Sequence, residues 1–93
     1  MPAYLVVGVV YKNQHWTETY RRDVPALVTA HGGRYLAKAF RPERLEGRGQ
    51  TPDTLAILEF PTEAAARAML SAPEYQPYAE ARRLGAETSM FIL

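Results

Sequence analysis

The sequence contains no cysteine, only two histidines and a single tryptophan among its 93 residues. The absence of cysteine excludes disulfide bonds, thiolate metal sites and cysteine nucleophiles. Two histidines are too few to indicate a zinc site. Neither Gly8 nor Gly32-Gly33 lies in a glycine-rich phosphate-binding pattern. The sequence therefore discloses no metal and no organic cofactor.

Charge of one sign and long hydrophobic runs are also missing. Eleven basic and ten acidic residues leave a net charge of +1, so no strong field favours a nucleic acid or an anionic membrane as partner. The apolar run Tyr4–Tyr11 is far shorter than the ~20 residues that cross a bilayer. It also lacks the flanking features of a signal peptide. We expect a cytoplasmic protein that binds neither nucleic acid nor membrane.

The length of the chain predicts one small domain over residues 1–93. Folding at this size hides only about 60–65% of the surface of the unfolded chain. Small domains usually compensate with disulfides, a metal or a partner chain. With the first two unsupported, a partner chain is the favoured source of stability.

Hydrophobic periodicity predicts four strands and three helices. The strands are Tyr4–Tyr11, Arg34–Phe40, Thr54–Phe60 and Thr88–Leu93, and the helices are Trp16–His31, Thr62–Ser71 and Pro73–Leu84. Arg41–Asp53 predicts a long exposed hairpin loop. Pro25 inside the first helix predicts a kink or a break, and Gly32-Gly33 predicts a left-handed helix end.

The resulting order, β-α-β-β-α-(α)-β, is typical of the ferredoxin-like α+β plan with a four-stranded antiparallel sheet. Right-handed crossovers put the first strand beside the third and leave the second and fourth at the edges. All helices then cover one face of the sheet. Because the first strand is apolar on both faces, the other face needs a cover as well. We expect a second copy of the sheet there, which makes a dimeric α/β barrel.

Five blocks of the sequence, in order, are similar to the domain of unknown function 1330 family. The blocks are Tyr4-Leu-Val-Val7, Ala30-His-Gly-Gly-Arg-Tyr-Leu-Ala37, Leu45-Glu-Gly47, Leu58-Glu-Phe-Pro61 and Ser71-Ala-Pro-Glu-Tyr-Gln76. The resemblance spans nearly the whole chain. It implies membership of the dimeric α/β-barrel superfamily and a ferredoxin-like homodimer, but no particular reaction. That superfamily includes cofactor-independent monooxygenases, isomerase-like and haem-handling enzymes, and ligand-sensing regulatory domains.

Glu59 is the most unusual residue of the predicted sheet, because it alternates with Leu55 and Ile57 on a central strand. A carboxylate there is costly unless it is paired or faces a wet cavity. It could be a general base in a pocket between sheet and helices, or the partner of Arg34 or Lys38 in an ion pair across the sheet. Arg34 in turn could hold a ligand carboxylate or bond the neighbouring loop.

The remaining candidates also have two interpretations. His31 could act as a base or proton shuttle, or it could cap the first helix at its negative end. Tyr35, with Tyr4, Tyr75 and Trp16, could line a pocket for a flat apolar ligand or belong to the core or an interface. Arg82-Arg83 is interpreted as a solvated helix end. The candidate ligand-binding residues are thus His31, Arg34, Tyr35, Lys38 and Glu59.

Two classes of function are compatible with these features. The first is a binding protein or a cofactor-independent enzyme that holds a small apolar or carboxylate-bearing metabolite between sheet and helices. The second is a structural or ligand-sensing regulatory dimer. RNA recognition, which uses the same element order, is disfavoured because Thr54–Phe60 lacks the exposed base-stacking aromatics of such modules. Convergence of His31, Arg34 and Glu59 on a cavity would favour the first class.

Overall fold

A four-stranded antiparallel sheet carries three helices on one face in the computed structural model, which describes residues 1–93. The strands are β1 (Ala3–Tyr11), β2 (Arg34–Phe40), β3 (Thr54–Phe60) and β4 (Ala86–Ile92), and the helices are α1 (Thr17–Ala30), α2 (Glu63–Ser71) and α3 (Gln76–Gly85). The strand order is β2-β3-β1-β4. The predicted ferredoxin-like α+β fold, with the first and third strands central, is confirmed.

Helix α1 runs through Pro25 without a break, so of the two expectations for this proline the break is wrong. Val24 and Val28 on either side of it are almost fully buried, with 2% and 1% of their surface exposed. Burial of two valines contributes ~3 kcal/mol or more. This gain is comparable with the cost of an interior proline, about 3 kcal/mol.

The end of α1 follows the predicted left-handed geometry. Gly32 has a φ of +78°. The Gly32 amide donates to the carbonyl of Thr29 and the Gly33 amide to that of Val28, both at 2.9 Å. This pair of bonds is the Schellman motif, which satisfies carbonyls that the helix end leaves free. Gly33 has a separate requirement, because a Cβ on it would lie 2.6 Å from the Phe60 ring.

The two C-terminal helices differ slightly from their predicted bounds. The Thr62 hydroxyl accepts a hydrogen bond from the Ala65 amide at 3.0 Å, so Thr62 is the cap of α2 rather than its first residue. Helix α3 begins at Gln76 instead of Pro73, because residues 73–75 form a turn. Strand β4 begins at Ala86, two residues earlier than predicted. The loop between β2 and β3 has the predicted extent.

The two faces of the sheet have opposite roles. On the helix side, alternate residues of β1 and β3 join α1, α2 and α3 in one apolar core around Leu5, Leu58 and Phe60. On the other face, Val6 of β1 lies between Ile57 of β3 and Phe91 of β4, which are its partners in the sheet register. That second face, which we call the outer face, carries apolar residues with no helix over them. Its members are Tyr4, Val6, Val10, Ala37, Ala39, Leu55, Ile57, Phe91 and Leu93.

Candidate functional site

A cavity of about 80 Å³ lies between the sheet and α1, on the helix side. Fifteen of its twenty lining residues are hydrophobic. Its walls come from all four strands and all three helices: Leu5, Val7, Val9, Tyr11, Trp16, Thr17, Tyr20, Arg21, Val24, Val28, Tyr35, Lys38, Thr54, Ala56, Leu58, Met69, Leu70, Tyr75, Arg82 and Met90. A mostly apolar hollow with a few polar groups is the usual form of a small-molecule site.

Aromatic rings form one wall of this cavity. Trp16 lies edge-on to both Tyr11 and Tyr20, with ring centroids 5.8 and 5.4 Å apart, and Tyr20 is edge-on to Tyr75 at 6.2 Å. Edge-to-face pairs of this kind stabilise one another beyond their buried area. Gly85 makes room for the wall, because the Trp16 indole occupies the space that a Cβ at position 85 would need. Four aromatic rings in edge-to-face contact therefore form this side of the cavity.

Polar contacts close the ends of the aromatic wall. The Tyr11 and Thr54 hydroxyls lie 2.6 Å apart, and so do those of Tyr20 and Tyr75. Burial, followed by the proximity of Tyr75, raises the pKa of Tyr20 far above its usual range. Burial also raises the pKa of Tyr35. The Tyr20 and Tyr35 phenols are therefore neutral hydrogen-bonding groups at physiological pH.

Arg82 is the most unusual residue of the cavity, because it is a guanidinium with only 5% of its surface exposed. Its Nη2 donates to the Tyr75 hydroxyl over 3.4 Å, and it forms no ion pair with any carboxylate. Its Nε has no hydrogen-bond partner. Burial opposes the charge, but Tyr75 and Tyr20 outweigh it and raise the pKa of Arg82. A permanent cation without a carboxylate partner thus belongs to the lining of an apolar cavity.

The outer end of the cavity is bordered by β2 and by exposed residues. Lys38 places its Nζ 5.8 Å from the centroid of the Tyr35 ring and 5.6 Å from that of Phe40. Arg21 lies over the same Phe40 ring at 5.1 Å. Cations over aromatic faces are attracted to the ring quadrupole. The rim is therefore positive as well.

The sequence-predicted site residues separate into two groups. Tyr35 and Lys38 line the cavity. Glu59 lies on the outer face, away from the helices, and accepts a bond from the Arg34 Nε at 2.9 Å. The expectation of a pocket location for Glu59 is corrected, because the even-numbered residues of β3 are the ones that contact the helices. Arg34 and Glu59 therefore form the ion pair that was the second interpretation of Glu59.

His31 caps the C-terminal end of α1, which was the alternative to a role as base or proton shuttle. Its Nδ1 lies 2.9 Å from the Leu27 carbonyl at the end of α1, and it does not line the cavity. His31, Arg34 and Glu59 therefore do not converge on the cavity, and Arg34 and Glu59 pair with each other, which by that criterion favours the second class of function, a structural or ligand-sensing dimer. No group of three or more metal-ligating side chains is assembled in the structure. None of the helices has the length and apolar character to cross a membrane.

Three residues line the cavity that were not predicted from the sequence to do so, namely Arg82, Tyr20 and Tyr11. The signal for Arg82 was present, because it follows Tyr75 and Ala79 at spacings of seven and three on α3. Both of these residues are buried, at 2% and 0% exposure. A charged residue in phase with a buried stripe of a helix either snorkels to solvent or has a function inside. Its neighbour Arg83 is the exposed one.

The fold places the chain among ferredoxin-like α+β proteins, and the comparison with protein families specifies which. Residues 2–93 match the Domain of unknown function (DUF1330), and the chain belongs to that family. The comparison with curated proteins found no match.

Several solved structures share the fold. A protein of unknown function, RPA0582 from Rhodopseudomonas palustris, is 20% identical with a TM-score of 0.80, and the match covers 99% of this chain and 80% of that one. SnoaB, a cofactor-independent oxygenase from Streptomyces nogalater, is 16% identical with a TM-score of 0.71, over 99% and 90% of the two chains. Rv0793 from Mycobacterium tuberculosis is 13% identical with a TM-score of 0.61, over 100% and 93%. At these identities the likeness shows the fold alone.

Proposed function

We propose that this protein binds a small and largely apolar molecule between its sheet and its helices. The observation that carries the proposal is the cavity itself, an apolar hollow with an aromatic wall that several residues of the hydrophobic core line. Tyrosine and threonine hydroxyls at its edges supply orientation by hydrogen bonding. Tyr35 and Lys38, both predicted from sequence, form part of the entrance.

Binding and orientation are the chemistry that the cavity supports best. Its ionisable lining consists of tyrosines, Arg21, Lys38 and Arg82, which donate hydrogen bonds and supply positive charge. Such groups stabilise negative charge on a bound molecule, including charge that develops during a reaction. The oxygenase SnoaB has the same fold, so a reaction without a cofactor is a compatible extension of the binding function.

Trp16 provides the test, because it is the only tryptophan and lies in the cavity wall. Cyclohexylmethanol, a neutral probe that does not absorb with indole, should change its emission saturably. Ala56→Leu should abolish that response, because Ala56 lines the cavity and is 7% exposed. Ala68→Leu, the same change at an exposed position of α2, should leave it intact.

A thermal melt of each variant separates a filled cavity from a failure to fold, since an extra core side chain costs ~1–3 kcal/mol. An emission change that is equal in the parent and in Ala56→Leu would show that the probe does not enter the cavity. That result would contradict the binding proposal.

We further propose that the outer face is covered by a second copy of the chain. This face holds the apolar parts of all four strands, and Phe91 and Leu93 on it are 63% and 75% exposed. An uncovered apolar surface of this extent is unusual for a monomer. Two sheets packed face to face lie ~10 Å apart, which excludes water from both. We expect a total buried area above about 1,200 Å², within the range of specific interfaces.

Sedimentation equilibrium at micromolar concentration tests the homodimer. Leu55→Glu puts a charge in the centre of the outer face and should yield monomers. Leu45→Glu makes the same change at a leucine that is 89% exposed in the loop between β2 and β3, and it should remain dimeric. A parent protein that sediments as a stable monomer would contradict the proposal.

A further inference from the structure

A recess between α3 and β4 adjoins the cavity. It is lined by Arg82, Arg83, Ala86, Thr88 and Met90. Arg82 and Met90 line both spaces, so these two side chains form the partition between them. The apolar cavity and this polar recess are thus two compartments that meet at one guanidinium.

Two buried polar side-chain atoms of the whole molecule have no hydrogen-bond partner, and both belong to this recess. They are the Arg82 Nε and the Thr88 Oγ1. Native proteins seldom leave such atoms unpaired, because each unmade bond destabilises the fold, and more so when the group is charged. Their coincidence in a single recess indicates an acceptor that is supplied from outside the chain.

The missing acceptor also has to carry negative charge. Arg82 forms no ion pair, and the other residues of the recess add a second arginine and no carboxylate. A buried, unpaired guanidinium is among the most expensive arrangements in a protein. A ligand anion at this point removes the cost and satisfies the Nε–H at the same time.

We propose that Arg82 and Thr88 form a carboxylate subsite, so that the ligand of the cavity is a small organic acid. The Arg82 Nε–H and the Thr88 hydroxyl donate one to each oxygen, which suits the two acceptors of a planar carboxylate. The apolar body of the acid lies in the cavity, against the aromatic wall. This inference rests on the proposed binding function, of which it names the ligand class.

Access to the subsite requires a side chain to move. Both unpaired atoms are covered in the absence of ligand. Met90 stands between the compartments, and it is unbranched, flexible and only partly buried. Its displacement joins cavity and recess without a change in the backbone.

Titration of the full chain with two matched probes tests the inference. Cyclohexanecarboxylate and cyclohexylmethanol share the same apolar body and differ in the carboxylate. We expect the acid to bind about 10–100-fold more tightly, as a hydrogen bond to a charged group implies. The ¹⁵N resonance of the Arg82 Nε should shift with the acid and remain in place with the alcohol.

Variants assign the preference to the two donors. Arg82→Met should remove the preference for the acid and keep the affinity for the alcohol. Thr88→Val should reduce the affinity for the acid about 10–100-fold, the effect of one hydrogen bond to a charged group. Ser89→Ala, one residue further and on the outer face, and Arg48→Met, an exposed loop cation, should change neither affinity.

The outcomes separate the inference from the function on which it rests. If neither probe changes Trp16 emission, the binding function itself is wrong. If both bind equally and Arg82→Met alters neither affinity, the cavity binds ligand but the carboxylate subsite is refuted. Inorganic phosphate that displaces the acid at equal concentration would refute selectivity for a carboxylate. The Arg82 resonance is read in the parent protein, so the test holds even if Arg82→Met does not fold.

Discussion

At the scale of single residues, the feature that most distinguishes this domain is a buried arginine without a carboxylate. A lysine or arginine on a small domain usually extends its charge into water. Arg82 instead contacts Tyr75 and belongs to the cavity lining, and its unpaired Nε is the part of the side chain that costs stability. Such costs are typical of groups kept for binding rather than for folding.

Arg82→Met should therefore stabilise the ligand-free protein, or leave it unchanged. Methionine fills similar volume and needs no hydrogen-bond partner. The expected gain is on the order of 1 kcal/mol, which raises the melting midpoint of a domain this size by roughly 4–8 °C. Arg83→Met, at the exposed neighbouring position, should have no effect. A midpoint that falls by several degrees for Arg82→Met would show that the cation stabilises the fold.

Tyr20 should make the protein sensitive to alkali. The pKa of Tyr20 is raised in the folded state by burial and by Tyr75. The folded chain therefore keeps a proton that the unfolded chain loses above pH ~10. Stability is fully present below that pH and falls above it, by about 1.4 kcal/mol per pH unit for this group. Urea unfolding across this range should be less pH-dependent in Tyr20→Phe. Equal slopes would contradict the burial of the phenol.

At the scale of elements, the ends of the helices are set by individual side chains and glycines. Gly32 takes a left-handed φ and ends α1, while Gly33 and Gly85 provide room for Phe60 and Trp16. These glycines connect local backbone geometry to the packing of the cavity.

Gly32→Val should destabilise the protein by about 1–2 kcal/mol, because a Cβ crowds the following carbonyl when φ is positive. The added atom would also lie 3.1 Å from Pro61. Gly49 also has a positive φ, +104°, but a Cβ added there would meet no neighbour within 4 Å. Gly49→Val therefore measures the backbone contribution alone, without a contact such as the one with Pro61. A melting midpoint for Gly32→Val equal to that of the parent would refute the capping argument.

The elements themselves follow from periodicity, whereas the site does not. Strands β2 and β3 have their predicted bounds, because turn-forming glycine and proline residues flank each of these short runs. Alternation also placed Glu59 and Leu55 on one face, but it does not say which face the helices cover. Arg82 was missed because arginine is usually assigned to solvent, although its spacing from Tyr75 and Ala79 places it on the buried side of α3.

At the scale of the whole molecule, the sheet separates two functions. The helix side holds the cavity, and the outer face is free for a second copy of the chain. The two surfaces share no side chain, because successive residues of a strand point to opposite faces. Loss of the dimer and loss of ligand binding are therefore separable by mutation.

The central claim is a homodimer in which each chain holds one organic acid on the helix side. Native mass spectrometry in the presence of cyclohexanecarboxylate measures subunit number and ligand number together. We predict two chains with two bound acids, and two chains without adducts for Arg82→Met. A single chain without bound acid at micromolar protein concentration would contradict the account.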